Sequence, residues 1–311
     1  MKTYRFFLVA YRLSRFIPAR LGYWLCSLIG GIVYYFVPEV RRSVRDNMQH
    51  ILPNSTEHQR RGISRKVIRN VYKNYYDLVR LPHLKPEQVV KMVPQIEGRE
   101  HLETALAAGK GAIILSGHIG NFSLVAQLIA VMGYKVAVVA EDIEPPQMYN
   151  FINRLRGHFG LRLIKMGSAQ VRTVYRHLRD GGGLALAADR DVGDTGLPVQ
   201  FFDAITDLPE GPVVLAMRLR VPIVPCFTWR LPNNKSRAIA CPPIELQSTG
   251  NYEVDLQANL RKVAMLLEEM ILHAPDQWVV LQRIWDKDYT GSDEAPSADD
   301  GRQTTDDGSS K

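Results

Sequence analysis

The stretch Gly111-Ala-Ile-Ile-Leu-Ser-Gly-His118-Ile-Gly-Asn121-Phe-Ser123 decides the fold. Residues 112–115 are short, partly β-branched and bounded by glycines, which predicts a buried strand. Ser116-Gly117 breaks the run, and from Phe122 the apolar residues Leu124, Val125, Leu128, Ile129 and Met132 recur at helical spacing. His118 is thereby placed where a strand ends and a helix begins. In open α/β sheets ligands bind at that edge, outside the carboxyl ends of the strands. Gly117 and Gly120 flank the imidazole with residues that let backbone or ligand come close.

Outward from this stretch the pattern alternates. Residues 93–97, 135–140, 161–165 and 184–188 read as strands, and 100–108, 148–159 and 171–179 as helices. Short-interval alternation predicts an α/β fold, an open mixed sheet covered by helices. The strand at 184–188 delivers Asp189-Arg190-Asp191 at its end, a second strand end able to face the same cleft as His118.

Composition narrows the partners. Hydrophobic content is 46%, ordinary for a packed globular protein, and the net charge is +7. That charge is uneven: residues 1–80 hold 15 Lys/Arg against 4 Asp/Glu, whereas 286–311 hold 3 against 8. A basic first quarter suits anionic lipid head groups. No zinc finger, RNA-binding signature or basic heptad region is present, so nucleic acid is not the expected partner. Cys26, Cys226 and Cys241 form neither a disulfide framework nor a ligand set, which predicts a reducing compartment and no metal.

The N-terminus continues this reading. Residues 4–16 mix aromatic and aliphatic side chains with Arg5, Arg12 and Arg15, the composition of a basic amphipathic helix lying on a bilayer. Residues 21–37 form an uncharged run at the lower edge of what spans a membrane, where about 20 residues are typical. It is read as an anchor, re-entrant or a short span. Residues 40–52 and 56–80 read as basic amphipathic helices separated by a turn at Pro53-Asn54-Ser55. The expected organisation is membrane-anchoring helices over 1–45, a main domain over 46–287 and a disordered acidic tail over 288–311, whose few apolar residues cannot offset the entropy of ordering.

Ser116-Gly-His-Ile-Gly-Asn-Phe122 resembles the signature of the bacterial lipid A biosynthesis acyltransferases and their relatives, the phosphatidylinositol mannoside acyltransferases. Further blocks follow in the family's order: Ala188-Asp-Arg-Asp191, Gly196 to Phe202, Leu208-Pro-Glu-Gly-Pro212, Val221-Pro-Ile-Val-Pro225 and Pro275-Asp-Gln-Trp278 with Arg283-Ile-Trp285. The resemblance covers residues 1–285 and implies a glycerolipid-acyltransferase-like fold. It departs at two places. Position 123 is Ser where the family carries an acid five residues after the His, and Asp203 stands where Gly usually follows the double Phe.

The implied chemistry is acyl transfer from acyl-CoA or acyl carrier protein to a lipid hydroxyl at the cytoplasmic face of the cell membrane, with no other cofactor. A hydroxyl is a poor nucleophile at neutral pH, and His118 is the candidate base. Ser123 is able to accept a hydrogen bond from the ring but brings no charge. Asp189, Asp191 and Glu210 are the candidates for the missing carboxylate, with Asp203 a weaker one. Amides around Gly120 to Phe122 are placed to hold an oxyanion, with Asn121 capping the helix. Arg154 and Arg190 match family positions credited with holding acidic or phosphate parts of substrate. The competing readings are a catalytically silent lipid-binding homologue, motivated by Ser123, and an aminoacyl-type transferase to lipid.

Overall fold

The computed structural model describes residues 2–141 and 143–287; the tail expected over 288–311 lies outside them. Four helices come first: α1 (Lys2–Ser14), α2 (Ala19–Phe36), α3 (Pro38–Ile51) and α4 (Glu57–Arg80). Thr56 and Gln59 form a reciprocal capping box that starts α4. The short α5 (Pro86–Met92) leads to β1 (Gln95–Glu97) and α6 (Arg99–Ala107). Then β2 (Ala112–Ser116), α7 (Phe122–Val131), β3 (Val136–Ala140), α8 (Pro146–Arg156), β4 (Arg162–Lys165), α9 (Val171–Arg179) and β5 (Gly183–Ala187) alternate. A hairpin of β6 (Leu197–Phe201) and β7 (Ala204–Leu208) precedes α10 (Gly211–Leu219), β8 (Ile223–Arg230), β9 (Ser236–Ala240) and α11 (Tyr252–His273).

Seven strands form one mixed sheet in the order β1-β9-β8-β2-β5-β3-β4. Five of them, β8, β2, β5, β3 and β4, run parallel, whereas β9 pairs antiparallel with β8 and carries β1 alongside it. Strand β2 lies at the centre, Ile114 facing Ala185 on one side and Val224 on the other. Ile113 and Leu115 join a core with Leu260, Val263 and Leu267 of α11 and with Met48 and Ile68 of the N-terminal helices. Ala112 and Ile114 face the opposite layer, with Leu102 of α6 and Ile129 of α7. Burial on both faces explains why β2 reads as a continuous apolar run rather than an alternating one.

The N-terminal helices are part of this packing. Tyr4, Phe7, Leu8 and Tyr11 of α1 pack on Leu78, Phe151 and Leu155. Helix α2 crosses α4 closely enough that a Cβ on Gly30 would lie 2.7 Å from Arg69 Cα, a contact that real side chains do not make. Their outer faces are uncovered. Phe6, Val9 and Leu13 of α1, and Trp24, Leu28, Ile32 and Phe36 of α2, are exposed, Phe36 by 79%. Among the described residues no single helix is long and apolar enough to cross a membrane. Helices α2 and α3 meet the length and composition test only together, bent by 94° at Val37.

Candidate functional site

The parallel order of β2 and β5 puts both chain exits on the same sheet edge, with Ser116 paired to Ala187 at the last position. His118 follows the first strand by two residues and Asp189 the second, so the two side chains meet. Asp189 Oδ1 lies 2.8 Å from His118 Nδ1, and Oδ2 accepts the His118 backbone N–H at 2.7 Å. Oδ2 also accepts the indole N–H of Trp278 at 2.8 Å. Asp189 and Trp278 are wholly buried, whereas the imidazole keeps 19% exposure. Burial pushes the Asp189 carboxyl up, but the His118 charge, the bonds to its ring and backbone and the indole outweigh that. The net value lies below the ordinary 3.8. With Nδ1 held by the carboxylate, Nε2 carries the ring's free lone pair.

The loop bearing His118 is held from behind. Val279 N–H donates to His118 O at 2.8 Å, and Gly120 N–H donates to Gln277 O at 2.8 Å. Gly120 adopts a φ of 56°, and a Cβ there would stand 2.3 Å from Thr228 O of β8. Only glycine fits that approach. The Gly120 amide is thus spent on Gln277, and it drops out of the oxyanion donors expected from the sequence. Of the first-turn amides of α7, Leu124 N–H is taken by Asn121, which leaves those of Phe122 and Ser123 as the candidates.

Behind the loop lies a buried polar network. Asn121 caps α7 through Leu124 N–H and donates to Asp77 Oδ2 at 2.7 Å. Asp77 also accepts from Arg230 at 2.7 Å and from the Tyr23 hydroxyl of α2 at 2.5 Å. Asn74 donates to Gly120 O at 2.6 Å and accepts from Arg230 at 2.6 Å. Burial alone would lower the Arg230 value, but the Asp77 charge more than reverses it.

Of the carboxylates weighed from the sequence, Asp189 is the one brought to the imidazole. Asp191 instead caps its own loop, accepting Gly193 N–H at 3.2 Å and Gly196 N–H at 2.9 Å. Glu210 stands just before α10. Asp203 sits in the β6–β7 turn and bonds His50 Nδ1 at 2.7 Å. Ser123 lines a small cleft with Leu78, Leu81 and Leu124, while Asp189 occupies Nδ1. Arg190 pairs with Glu141 at 2.5 Å and contacts Gln282. Arg154 is exposed on α8, its guanidinium 5.5 Å from the centre of the Phe151 ring. The roles of Asp77, Asn74, Arg230 and Trp278 were missed from the sequence. One signal was there: Asn70, Asn74 and Asp77 recur at helical spacing beside the buried Val67 and Val71 of α4.

The candidate site is thus a carboxylate-backed imidazole at the carboxyl edge of an α/β sheet, in a chain whose first two helices turn apolar faces outward. The chain belongs to the bacterial lipid A biosynthesis acyltransferase family, whose model matches residues 2–287. It is 26% identical over 226 residues to the phosphatidylinositol mannoside acyltransferase of Mycobacterium tuberculosis H37Rv, covering 71% of this chain and 70% of that one. The enzyme of the same name from Mycolicibacterium smegmatis is 25% identical over 223 residues, 70% and 71% of the two chains. The lipid A biosynthesis acyltransferase of Haemophilus influenzae is 21% identical over 269 residues, 86% and 82%. The protein is thus an acyltransferase of a glycolipid-building family, transferring acyl groups to lipid.

Proposed function

We propose that this enzyme moves a fatty acyl group from a thioester donor, acyl-CoA or acyl carrier protein, to a hydroxyl of a membrane glycolipid. The acceptor class is that named for its relatives, a phosphatidylinositol mannoside or a lipid A precursor. His118 is the general base. Its Nε2 takes the proton of the acceptor hydroxyl as the oxygen attacks the thioester carbonyl. The resulting oxyanion is met by first-turn amides of α7. Collapse expels the thiolate, which receives the proton from the imidazolium. Asp189 fixes the tautomer and steadies the imidazolium, the part an acid plays in a Ser-His-Asp triad.

The observation that supports this reading is the pairing of His118 Nδ1 with buried Asp189, itself anchored by Trp278. It supplies from β5 the carboxylate absent at Ser123, and so removes the motive for a silent lipid-binding role. The exposed apolar faces of α1 and α2 support work at a membrane surface, and the cytoplasmic side is part of the proposal. Incubation with radiolabelled acyl-CoA or acyl carrier protein and a membrane lipid extract tests it. Wild-type protein should yield acylated glycolipid and His118→Ala, checked for unaltered folding, should yield none. Full activity of that variant would eliminate the proposed base.

A further inference from the structure

A cavity of about 420 Å³ opens at the elbow between α2 and α3, away from the His118 loop, and the acyl-transfer chemistry makes no use of it. It is lined by Tyr34 and Tyr35 from the end of α2, Arg41 and Arg45 from α3, and Arg61 and Arg65 from the first turns of α4. Four guanidiniums therefore converge on one space, with His58 beside them. Glu57 is paired with Arg45 and Arg61, which leaves the cluster an excess of positive charge. Arg41 donates to the carbonyls of Tyr34 and Tyr35, at 3.3 and 3.0 Å, so it is fixed in place across the helix end. Arg65 reaches the Tyr35 hydroxyl at 3.4 Å while its Nε is buried with no partner.

We propose that this pocket binds a lipid-borne phosphate. Guanidinium clusters match the oxygens of a phosphate with paired donors. The volume falls within the ordinary range for small-ligand sites, about 300–1,000 Å³. The position fits a lipid rather than a soluble anion: Tyr35, which lines the cavity, and the next residues in the chain, Phe36 and Val37, are exposed and continue the uncovered apolar face of α2. The arginines thus stand where a bilayer's head groups would meet that face. This inference rests on the membrane reading given above. Two lipids offer such a phosphate, a plain anionic phospholipid and the acceptor itself. Along α4 the nine steps from Arg65 to Asn74, which touches the His118 loop, span about 13 Å.

Gly62 gives a clean test, since a Cβ there meets nothing within 4 Å and the residue lines the cavity. Gly62→Leu fills the space without removing charge. Arg61→Gln with Arg65→Gln removes two charges, and Arg172→Gln with Arg179→Gln removes two from the exposed face of α9 as a control. Sedimentation with vesicles of neutral phospholipid, with and without about a fifth of an unglycosylated anionic phospholipid, is the first readout. The wild type should bind anionic vesicles better; the Arg61/Arg65 pair should lose about 30-fold of that preference, at the energy per charge usual near such surfaces, and the control less. Gly62→Leu should lose it too. A raised KM for acceptor in these variants, with vesicle binding intact, assigns the phosphate to the acceptor and equally supports the site. The proposal is overturned if Gly62→Leu and the Arg61/Arg65 pair match the control in both readouts, or if only the KM for the acyl donor rises. Failure of all proteins to bind any vesicle would instead remove the membrane reading beneath it.

Discussion

Replacing Asp189 by Asn changes almost no volume but sets three donors against one acceptor. In the native site His118 Nδ1–H, His118 backbone N–H and Trp278 Nε1–H all converge on the two carboxylate oxygens. An amide has a single oxygen. Placed at the Oδ2 position it keeps the backbone and indole bonds, two of the three, and turns its NH2 toward Nδ1. The ring then relieves the clash by accepting at Nδ1 and carrying its proton on Nε2, which abolishes the basic lone pair facing substrate. The expected loss is that of a general base, about 10²–10⁴-fold in the chemical step. Single-turnover transfer from labelled acyl thioester measures it, and Asp189→Asn with His118→Ala together should be scarcely worse than either alone. Asp189→Ala should also destabilise the fold, by about 1–3 kcal/mol for each buried donor stranded. Turnover of a folded Asp189→Asn protein within about fivefold of wild type, less than the loss of a general base, would refute the tautomer argument.

Two further outcomes follow from the same network. Asp189 titrates below its ordinary value of 3.8, so its contribution to stability is complete above that pH and is lost as the pH falls through the lowered folded value. Urea unfolding from about pH 6 to about pH 2 should show a steeper acid loss for wild type than for Asp189→Asn, and equal slopes would contradict the assignment. Arg230→Ala strands Asp77 in a site where both side chains are at most 4% exposed. A cost of about 3–5 kcal/mol is expected, visible as a large fall in melting temperature, and a fall no greater than that of an exposed Arg→Ala would show the pair to be unimportant.

The parallel half of the fold was readable because its signals are local. The short apolar runs at 112–115, bounded by glycines, and at 184–188, after Gly183, became β2 and β5 within a residue or so, and the helices between them obey the 3.6 spacing. His118 could be placed at a sheet edge for the same reason. Its partner could not be chosen from the sequence, because the distance between residues 118 and 189 is set by the parallel β2–β5 register, a non-local fact. The blocks from Gly196 to Leu208 gave no hint of a two-stranded hairpin outside the main sheet. The reversal of β9 against β8 is likewise a choice of connection, invisible to side-chain periodicity. Gly120 reads from the sequence as letting backbone or ligand come close; its φ and the nearness of Thr228 O show that it is the backbone of β8 that approaches.

The buried network ties the outer helices to the chemistry in a way that distance alone would hide. Tyr23 of α2 and Asn121 of the His118 loop share one acceptor, Asp77, and Arg230 at the end of β8 neutralises it. Asn74, one helical turn before Asp77, holds Gly120 O and the same guanidinium. Each donor is satisfied only if the others are in place, because a half-satisfied polar cluster in a low-dielectric interior is costly. Helix α2 has little else polar to fix its angle, since its inner face is largely glycine and tyrosine and its outer face apolar. The hydroxyl of Tyr23 therefore sets the seating of α2 on α4, and α4 sets the height of the His118 loop above the sheet. A shift of α2 that breaks the Tyr23–Asp77 bond must be taken up by Asn121 or Arg230, and both touch the segment that aims the imidazole. Helix α2 and the loop that carries the proposed base are thus joined through one hydrogen-bonded network.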